Sequence, residues 1–149
     1  MLFSEYQRYQ YARSPLIEVI CQLRFPTILT INNGEPADFQ EAIREDFPRY
    51  AVRKEQAPPK IVGAGGPNPK VEPQPPISNH NFISTDGLWK INLTKDFIAL
   101  STLRYTNWED FALKLDKPLA QFIQVYKPAF FQRVGLRYLN AISKKRLGL

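Results

Sequence analysis

Twenty consecutive residues near the middle of this chain exclude most regular structure. Between Ala57 and Pro76 there are seven prolines and three glycines. Proline lacks a backbone N–H and fixes φ, so such a segment sustains neither a helix nor a central strand. The sequence therefore predicts a long exposed Pro/Gly-rich loop at about residues 57–77, within a single domain that covers residues 1–149.

Alternating residues before this loop predict a strand, and a helical pattern follows it. From Leu16 to Phe25, apolar and β-branched residues alternate with polar ones, as in a half-buried strand. Glu35-Pro36 then opens a helical pattern, and a short strand is expected at Ala51–Glu55. The apolar side of the helix is expected to comprise Phe39, Ala42, Ile43, Phe47 and Tyr50.

After the loop, residues 81–105 indicate three antiparallel strands in succession. Asp86-Gly87 separates two apolar runs, and this dipeptide favours a type I′ hairpin turn. A long amphipathic helix follows the third strand, and Thr106 with Glu109 has the spacing of a capping box at its start. The region therefore predicts a meander followed by a helix.

Pro118 lies in the middle of that second helix and is expected to kink or split it. A last strand is expected from Arg133 to Ile142. The order of elements is then strand, helix, meander, helix, strand. This order predicts an α+β fold, with a mainly antiparallel sheet and the helices packed on one face.

The formal net charge of +6 arises at the end of the chain. Residues 127–149 contain six basic and no acidic side chains, whereas the first 126 residues contain fourteen of each sign. Lys144, Lys145 and Arg146 are therefore candidate nucleic-acid contacts, because cations that neutralise phosphates release counterions. No recognised nucleic-acid-binding motif accompanies them, so nucleic-acid binding is an alternative rather than the leading interpretation.

Patterns that carry catalysis or bind metals are weak. The only histidine, His80, lies between two asparagines and is expected to be a satisfied surface residue. The only cysteine, Cys21, lies in an apolar strand pattern that is typical of a buried, inert thiol. Since metal centres need several such ligands close together, we expect no catalytic residue, no metal and no cofactor.

No apolar run is long enough for a transmembrane helix. The first eleven residues are polar and aromatic and do not resemble a signal peptide. The sequence therefore predicts a cytoplasmic protein without a membrane partner.

The last strand carries polar residues where plain apolar alternation would suffice. Arg133, Gly135 and Arg137 are expected on one face, and Tyr138 and Asn140 on the other. These five residues are the candidate anion- or partner-binding site. The two guanidinium groups can converge on an anion across the glycine, or each can pair with an acid, which is the favoured interpretation. The acids considered for such pairs are Glu18, Glu109 and Asp110. Tyr138 is most simply a core aromatic residue.

Residues 133–140, Arg-Val-Gly-Leu-Arg-Tyr-Leu-Asn, resemble the strand motif of an uncharacterised, sporadically distributed bacterial and archaeal family of conserved hypothetical proteins. Residues 11–19 together with 22–25 resemble that family's opening strand, and residues 105–111 resemble the start of its second helix. Members of the family continue well beyond the motif, so the resemblance implies that this chain lacks a C-terminal portion. It implies no activity, cofactor or catalytic residue.

These features favour a non-catalytic protein-interaction module, with a role linked to an operon or a defence system. Its partner is expected to be another protein or a second copy of the chain, because an unpaired edge strand favours self-association. The alternatives are nucleic-acid binding through the basic C-terminal segment, and a small anionic-ligand or enzyme domain that uses Arg133 and Arg137.

Overall fold

The computed structural model of the chain describes residues 17–140. Its strands and helices are, in chain order, β1 (Ile17–Arg24), α1 (Ala37–Ile43), β2 (Arg49–Glu55), β3 (Lys60–Val62), β4 (Lys70–Glu72), β5 (Ile77–Ile83), β6 (Trp89–Leu93), β7 (Phe97–Thr102), α2 (Trp108–Tyr126) and β8 (Arg133–Asn140). A short 3₁₀ turn, Leu29–Asn32, precedes α1. No helix in this part of the chain is long and apolar enough to cross a membrane.

Six strands form one sheet in the order β2-β5-β6-β7-β1-β8, and every neighbouring pair is antiparallel. β5, β6 and β7 pair consecutively and make the predicted meander. β1 pairs with both β7 and β8, so among residues 17–140 the first strand lies inside the sheet and the last strand lies at its edge. The predicted α+β class with a mainly antiparallel sheet is confirmed.

Both helices pack on one face of this sheet. Phe39 of α1 lies 5.3 Å, between ring centroids, from Phe82 of β5 and 6.4 Å from Phe122 of α2. Phe122 in turn lies 4.9 Å from Phe25, which follows β1. The buried sheet residues of this core are Val19, Cys21, Leu23, Phe82, Ile91, Leu93, Ile98 and Leu100. Aromatic pairs of this kind add to the hydrophobic gain of burial, and they hold the two helices against the sheet.

The Pro/Gly-rich segment is exposed, as expected, but it is not irregular throughout. β3 and β4 pair with each other in a small separate hairpin. All seven prolines lie outside these two three-residue strands, so each strand keeps its backbone donors. The Gly66 N–H donates to Gly63 O at 2.8 Å in the loop between them. The density of proline limits strand length here, and it does not prevent pairing.

The second helix begins one residue later than the capping box indicated. Asn107 is the N-cap, and its side-chain oxygen accepts the Asp110 N–H at 2.8 Å. Thr106 Oγ1 instead donates to the Asp110 carboxylate at 2.9 Å. The prediction of Thr106 with Glu109 was wrong because asparagine caps a helix at least as well as threonine, and the same spacing recurs one position along.

The Asp86-Gly87 turn forms, but it is not type I′, since only Gly87 has a positive φ, of 77°. The Gly87 N–H donates to Ser84 O at 3.0 Å. The Asp86 carboxylate accepts the Ser84 hydroxyl at 2.6 Å and the Leu88 N–H at 3.0 Å. An aspartate that bonds its own turn favours this wider loop.

α2 continues without interruption through Pro118, so the predicted split is wrong. Pro118 is buried against the core, where packing compensates for the missing backbone hydrogen bond. The helix ends at Lys127, which has a φ of 49° and donates its N–H to Ile123 O at 2.9 Å.

α1 is shorter than the periodicity indicated, and the strand after it is longer. α1 ends at Ile43, and β2 begins at Arg49 rather than Ala51. Tyr50 is therefore a strand residue. It still faces the core because it pairs with Phe82, whose ring centroid lies 5.2 Å away.

Candidate interaction site at the edge of the sheet

The structure places the predicted site residues on an edge strand. Within residues 17–140, β8 pairs with β1 alone. Cys21, a core residue, faces Leu136 across this ladder, and cross-strand partners share a face of the sheet. The odd-numbered candidates Arg133, Gly135 and Arg137 therefore lie on the open face, away from the helices.

Tyr138 and Asn140 occupy even-numbered positions of β8, which alternate with the three odd-numbered candidates. Tyr138 faces Val19 across the ladder and contacts Tyr105, with 6.0 Å between ring centroids. It is nevertheless 58% exposed, so the prediction of a core aromatic residue was wrong. Asn140 ends β8 opposite Ile17. The candidate nucleic-acid contacts Lys144, Lys145 and Arg146 lie outside the described residues.

Arg133 and Arg137 do not form the ion pairs with the second helix that the sequence suggested. Glu109 and Asp110 lie in the first turn of α2, and the helices lie on the opposite face of the sheet from the arginines. Within residues 17–140, neither guanidinium group has a carboxylate within ion-pair distance. Both arginines are exposed, so water satisfies them.

An apolar side of β8 is exposed, which alternation alone did not reveal. Val134, Leu136 and Tyr138 are 63%, 42% and 58% exposed, although they lie on the helix-covered face. The three β1 residues opposite them are at most 6% exposed. The helices therefore cover β1 and leave β8 uncovered. We call Val134, Leu136 and Tyr138 the β8 apolar surface.

The backbone N–H and C=O groups of the β8 apolar surface point away from β1, towards the outer side of the sheet. The Phe25 N–H donates to Asp96 O at 3.1 Å, on the β7 side. Since successive residues of an antiparallel strand bond to opposite neighbours, the odd residues of β1 bond to β7 and the even residues bond to β8. The register sets even β1 residues opposite odd β8 residues, as in Gln22 opposite Gly135. The N–H and C=O groups of the β8 apolar surface are thus the ones that point outwards.

The open face of the sheet forms a concavity of about 520 Å³, which we call the trough. Residues from all six strands line it, including Arg53 of β2 and Arg137 of β8. In a flat sheet these two outer strands would be roughly 24 Å apart, so the sheet must curl around the trough. The charged residues of the lining are Glu18, Arg53, Lys90 and Arg137. The structure brings Arg137, but not Arg133, to this site.

Three asparagines are hydrogen-bonded to one another in the trough. Asn92 Nδ2 donates to Asn79 Oδ1 at 2.9 Å and to Asn81 Oδ1 at 2.6 Å. Asn79 Nδ2 donates to Glu55 Oε1 at 2.7 Å. These bonds fix the side-chain amides across β5 and β6, so the polar lining is ordered before any ligand arrives.

A second concavity, of about 900 Å³, lies between the end of α1, the β5–β6 turn and the start of α2. Its carboxylates have structural partners. The Asp110 carboxylate accepts the Thr106 hydroxyl at 2.9 Å, and Lys117 pairs with Asp46 at 3.4 Å. The Ser84 hydroxyl and the Leu88 N–H hold the pKa of Asp86 below its ordinary value. These contacts support the fold, and a lowered pKa makes Asp86 unsuited to proton transfer near neutral pH.

His80 lies in the core, so the predicted surface position was wrong, although its ring is satisfied. Nε2 lies 2.8 Å from Ile31 O, and Nδ1 lies 2.7 Å from the Tyr50 hydroxyl. A carbonyl only accepts, so Nε2 carries the proton and Nδ1 accepts from Tyr50. Burial lowers the pKa of His80. The ring is a neutral structural element that joins β2, β5 and the 3₁₀ turn.

Cys21 is buried and makes no disulfide, and burial raises the pKa of its thiol. A raised pKa makes a thiol less reactive, which agrees with the inert role that its strand pattern indicated. In the described part of the chain, no group of three or more His, Cys, Asp or Glu side chains is placed to hold a metal ion.

The sequence singled out the arginines of β8 and overlooked Val134 and Leu136. Their alternation with polar residues is the same as that of core residues on β1, so nothing local separates a covered strand from an uncovered one. The trough residues Lys90 and Asn92 were also overlooked. Their signal was a pair of polar residues at alternate positions of one strand, which indicates a sheet face that no helix covers.

No protein-family model, no curated protein and no solved structure matches this chain. The resemblance of residues 133–140 to a family of conserved hypothetical proteins therefore stays a prediction.

Proposed function

We propose that this chain is a non-catalytic protein-interaction module that binds an extended strand of its partner along the outer edge of β8, which has no partner strand other than β1 within residues 17–140. One observation carries the proposal. The residues of β8 whose backbone groups point outwards are the same residues whose apolar side chains are exposed. A strand laid beside β8 meets a row of hydrogen-bonding groups and an apolar surface together.

Strand addition uses both of these features. Main-chain hydrogen bonds supply affinity, and alternate side chains supply specificity. Each new backbone hydrogen bond contributes about 1 kcal/mol net. Covering a half-exposed apolar side chain such as Leu136 contributes on the order of 1 kcal/mol more. The partner is therefore expected to present apolar side chains at alternate positions, on the side that faces the helices.

The other edge of the sheet is protected, and this favours β8. β2 carries charged side chains along its length, namely Arg49, Arg53, Lys54 and Glu55. Charged residues on an edge strand discourage pairing with another chain. β8 has its charges on the open face only, and no charged residue stands among the even-numbered positions, which include the β8 apolar surface.

We also propose that the module acts in the cytoplasm of a bacterium, with a partner encoded in the same operon or in a defence cluster. A lone buried thiol such as Cys21 suits a reducing compartment. The motif in residues 133–140 supports a bacterial or archaeal origin through the family that it resembles.

A peptide of alternating valine and threonine tests the binding mode. Titrated into isotope-labelled protein, it is expected to shift the amide resonances of the β8 apolar surface. The variant Leu136→Lys is expected to lose this response, because a cation replaces the central apolar side chain. Val52→Lys, on the opposite edge and also exposed, is the matched control and is expected to retain it. Shifts centred on β2, or no shifts at all, would contradict the proposal.

A second function, binding of a small anion, has its own observation in the trough. Arg53, Lys90 and Arg137 line a polar concavity of about 520 Å³, with Glu18 as the one acid of the lining. Guanidinium groups and ordered amides are suited to carboxylate or phosphate ligands. Arg133 lies outside the trough and provides a matched control. If this function holds, Arg137→Ala weakens the binding of citrate or inorganic phosphate and Arg133→Ala does not. Equal effects of the two changes would indicate non-specific attraction.

A further inference from the structure

We infer that the strand recognised by β8 is β8 of a second copy, paired antiparallel about a twofold axis that passes through Leu136. This inference rests on the proposed function, because it names the partner for the same edge. A twofold axis brings the same surface of each copy into contact. The surface of β8 must therefore be complementary to itself.

β8 meets the requirements for its own partner. The partner needs outward backbone groups and apolar side chains at alternate positions on the helix side, and the β8 apolar surface provides both. Antiparallel partners place their side chains on the same side of the sheet. The two apolar surfaces therefore merge into one, flanked by the helices of both copies.

An axis through Leu136 gives the longest pairing of the two β8 strands in which no arginine lies opposite another arginine. Every residue from Arg133 to Leu139 then has a partner, and Val134 lies opposite Tyr138 of the second copy. Because Val134, Leu136 and Tyr138 point their backbone groups outwards, these positions are the hydrogen-bonded pairs of the new ladder. An aromatic residue opposite a β-branched one is a favourable cross-strand pair.

The arginines on the open face disfavour the two neighbouring registers of this strand pair. With the axis at Gly135, Arg133 of one copy lies directly opposite Arg137 of the other. With the axis at Arg137, that residue faces itself. Like charges directly opposite are destabilising. With the axis at Leu136, Arg137 lies opposite Gly135, and Arg133 lies opposite Leu139.

Gly135 acquires a role in this arrangement. A Cβ atom built at Gly135 meets no atom within 4 Å, so the space above this residue is open. The aliphatic stem of Arg137 from the second copy can occupy it. Gly135 of one copy then accommodates the side chain of Arg137 of the second copy, in addition to lying between Arg133 and Arg137 of its own chain.

Opposite charges introduced at Gly135 test the register. Gly135→Glu places a carboxylate opposite Arg137 of the second copy, twice per dimer, and Gly135→Lys places a cation there. Sedimentation equilibrium is expected to give a dimer dissociation constant that is about fivefold lower for Gly135→Glu than for Gly135→Lys, given the strength of cross-strand charge pairs. Equal dissociation constants, or a weaker Glu variant, would overturn the register.

Oxidation of single-cysteine additions tests the contact independently, since the native Cys21 is buried. Leu136→Cys faces itself across the axis at a separation that a disulfide can span, and it is expected to form a covalent dimer with copper phenanthroline. Val134→Cys lies about 13 Å along the strand from its own copy, and Val52→Cys lies on the other edge. Both are expected to react about tenfold more slowly, because a wide separation prevents the bond.

The outcomes separate this inference from the proposed function. If the wild-type chain sediments as a monomer at high concentration but the valine–threonine peptide still binds at β8, self-pairing is wrong and the interaction module stands. If neither binding occurs, both are wrong. Faster oxidation of Val52→Cys would move the interface to β2, and faster oxidation of Val134→Cys would refute the axis at Leu136.

Discussion

Val19 and Tyr138 face each other across the β1–β8 ladder on the same side of the sheet, yet Val19 is 1% exposed and Tyr138 is 58% exposed. The helices cover the first of these residues and leave the second in contact with water. An apolar surface on an unprotected edge strand is a feature that proteins usually use for contact with a partner. The proposed function follows from this difference in cover between two neighbouring strands.

Tyr138 is expected to contribute little to the stability of the monomer. Tyr138→Ala should lower the free energy of unfolding by less than about 1 kcal/mol, as for other exposed sites. Phe82→Ala, at a fully buried position, should cost about 3–5 kcal/mol. Urea denaturation of dilute protein measures both. Losses of similar size would show that Tyr138 belongs to the core, which would contradict the exposed surface.

Stability is expected to fall as the pH decreases from about 7 to about 5, because of His80, the only histidine. Burial lowers the pKa of His80 in the folded state. As the pH falls, His80 of the unfolded chain therefore binds its proton near pH 6.5, and His80 of the folded chain binds it only at a lower pH. The loss approaches at most about 1.4 kcal/mol per pH unit. Thermal denaturation of the wild type and of His80→Gln, which cannot titrate, should show a smaller pH dependence in the variant. Identical slopes would contradict the neutral buried ring.

The N-cap assignment predicts different costs at two adjacent residues. Asn107→Ala removes the acceptor of the Asp110 N–H and should cost about 1 kcal/mol. Thr106→Ala removes only a bond between exposed side chains and should cost less than about 0.5 kcal/mol. Chemical denaturation of both variants gives the comparison. A larger cost at Thr106 would restore the cap that the sequence indicated.

Substitution by alanine is expected to affect stability differently at two glycines, Gly87 and Gly135. Gly87 has a φ of 77°, a conformation that costs an alanine roughly 1 kcal/mol. Gly135 lies in a strand with open space where a Cβ would point. Gly135→Ala should therefore be neutral or stabilising by up to about 1 kcal/mol, through the lower entropy of the unfolded chain. Melting temperatures of the two variants on either side of the wild type would support this, and a destabilised Gly135→Ala would contradict it.

Local pattern predicted most of the fold. The alternation in β1 and β8 identified both strands and their two faces, because a period of two residues is a property of the strand itself. The meander and the second helix were likewise visible in short stretches of sequence. Boundaries were less accurate, as Tyr50 shows, since a core-facing strand residue and a core-facing helix residue are equally apolar.

The candidate site depended on information that is not local. Whether Leu136 is covered depends on the position of β8 in the sheet, and its only partner within residues 17–140 is β1, at the other end of that range. The trough depends on curling of the sheet, which brings Arg53 and Arg137 to one concavity. No short window of sequence contains either relationship, so the arginines drew attention and the apolar surface did not.

Amide hydrogen exchange along β8, followed residue by residue by NMR, distinguishes a binding edge from an inert one. In dilute protein, the amides of Val134, Leu136 and Tyr138 should exchange rapidly because they point outwards, while those of Gly135 and Arg137 should be protected by bonds to β1. When a strand binds, from a second copy or from the peptide, the three outward amides should become protected as well. Protection of all five amides in dilute monomer, or three outward amides that stay unprotected in the bound state, would contradict β8 as the binding edge.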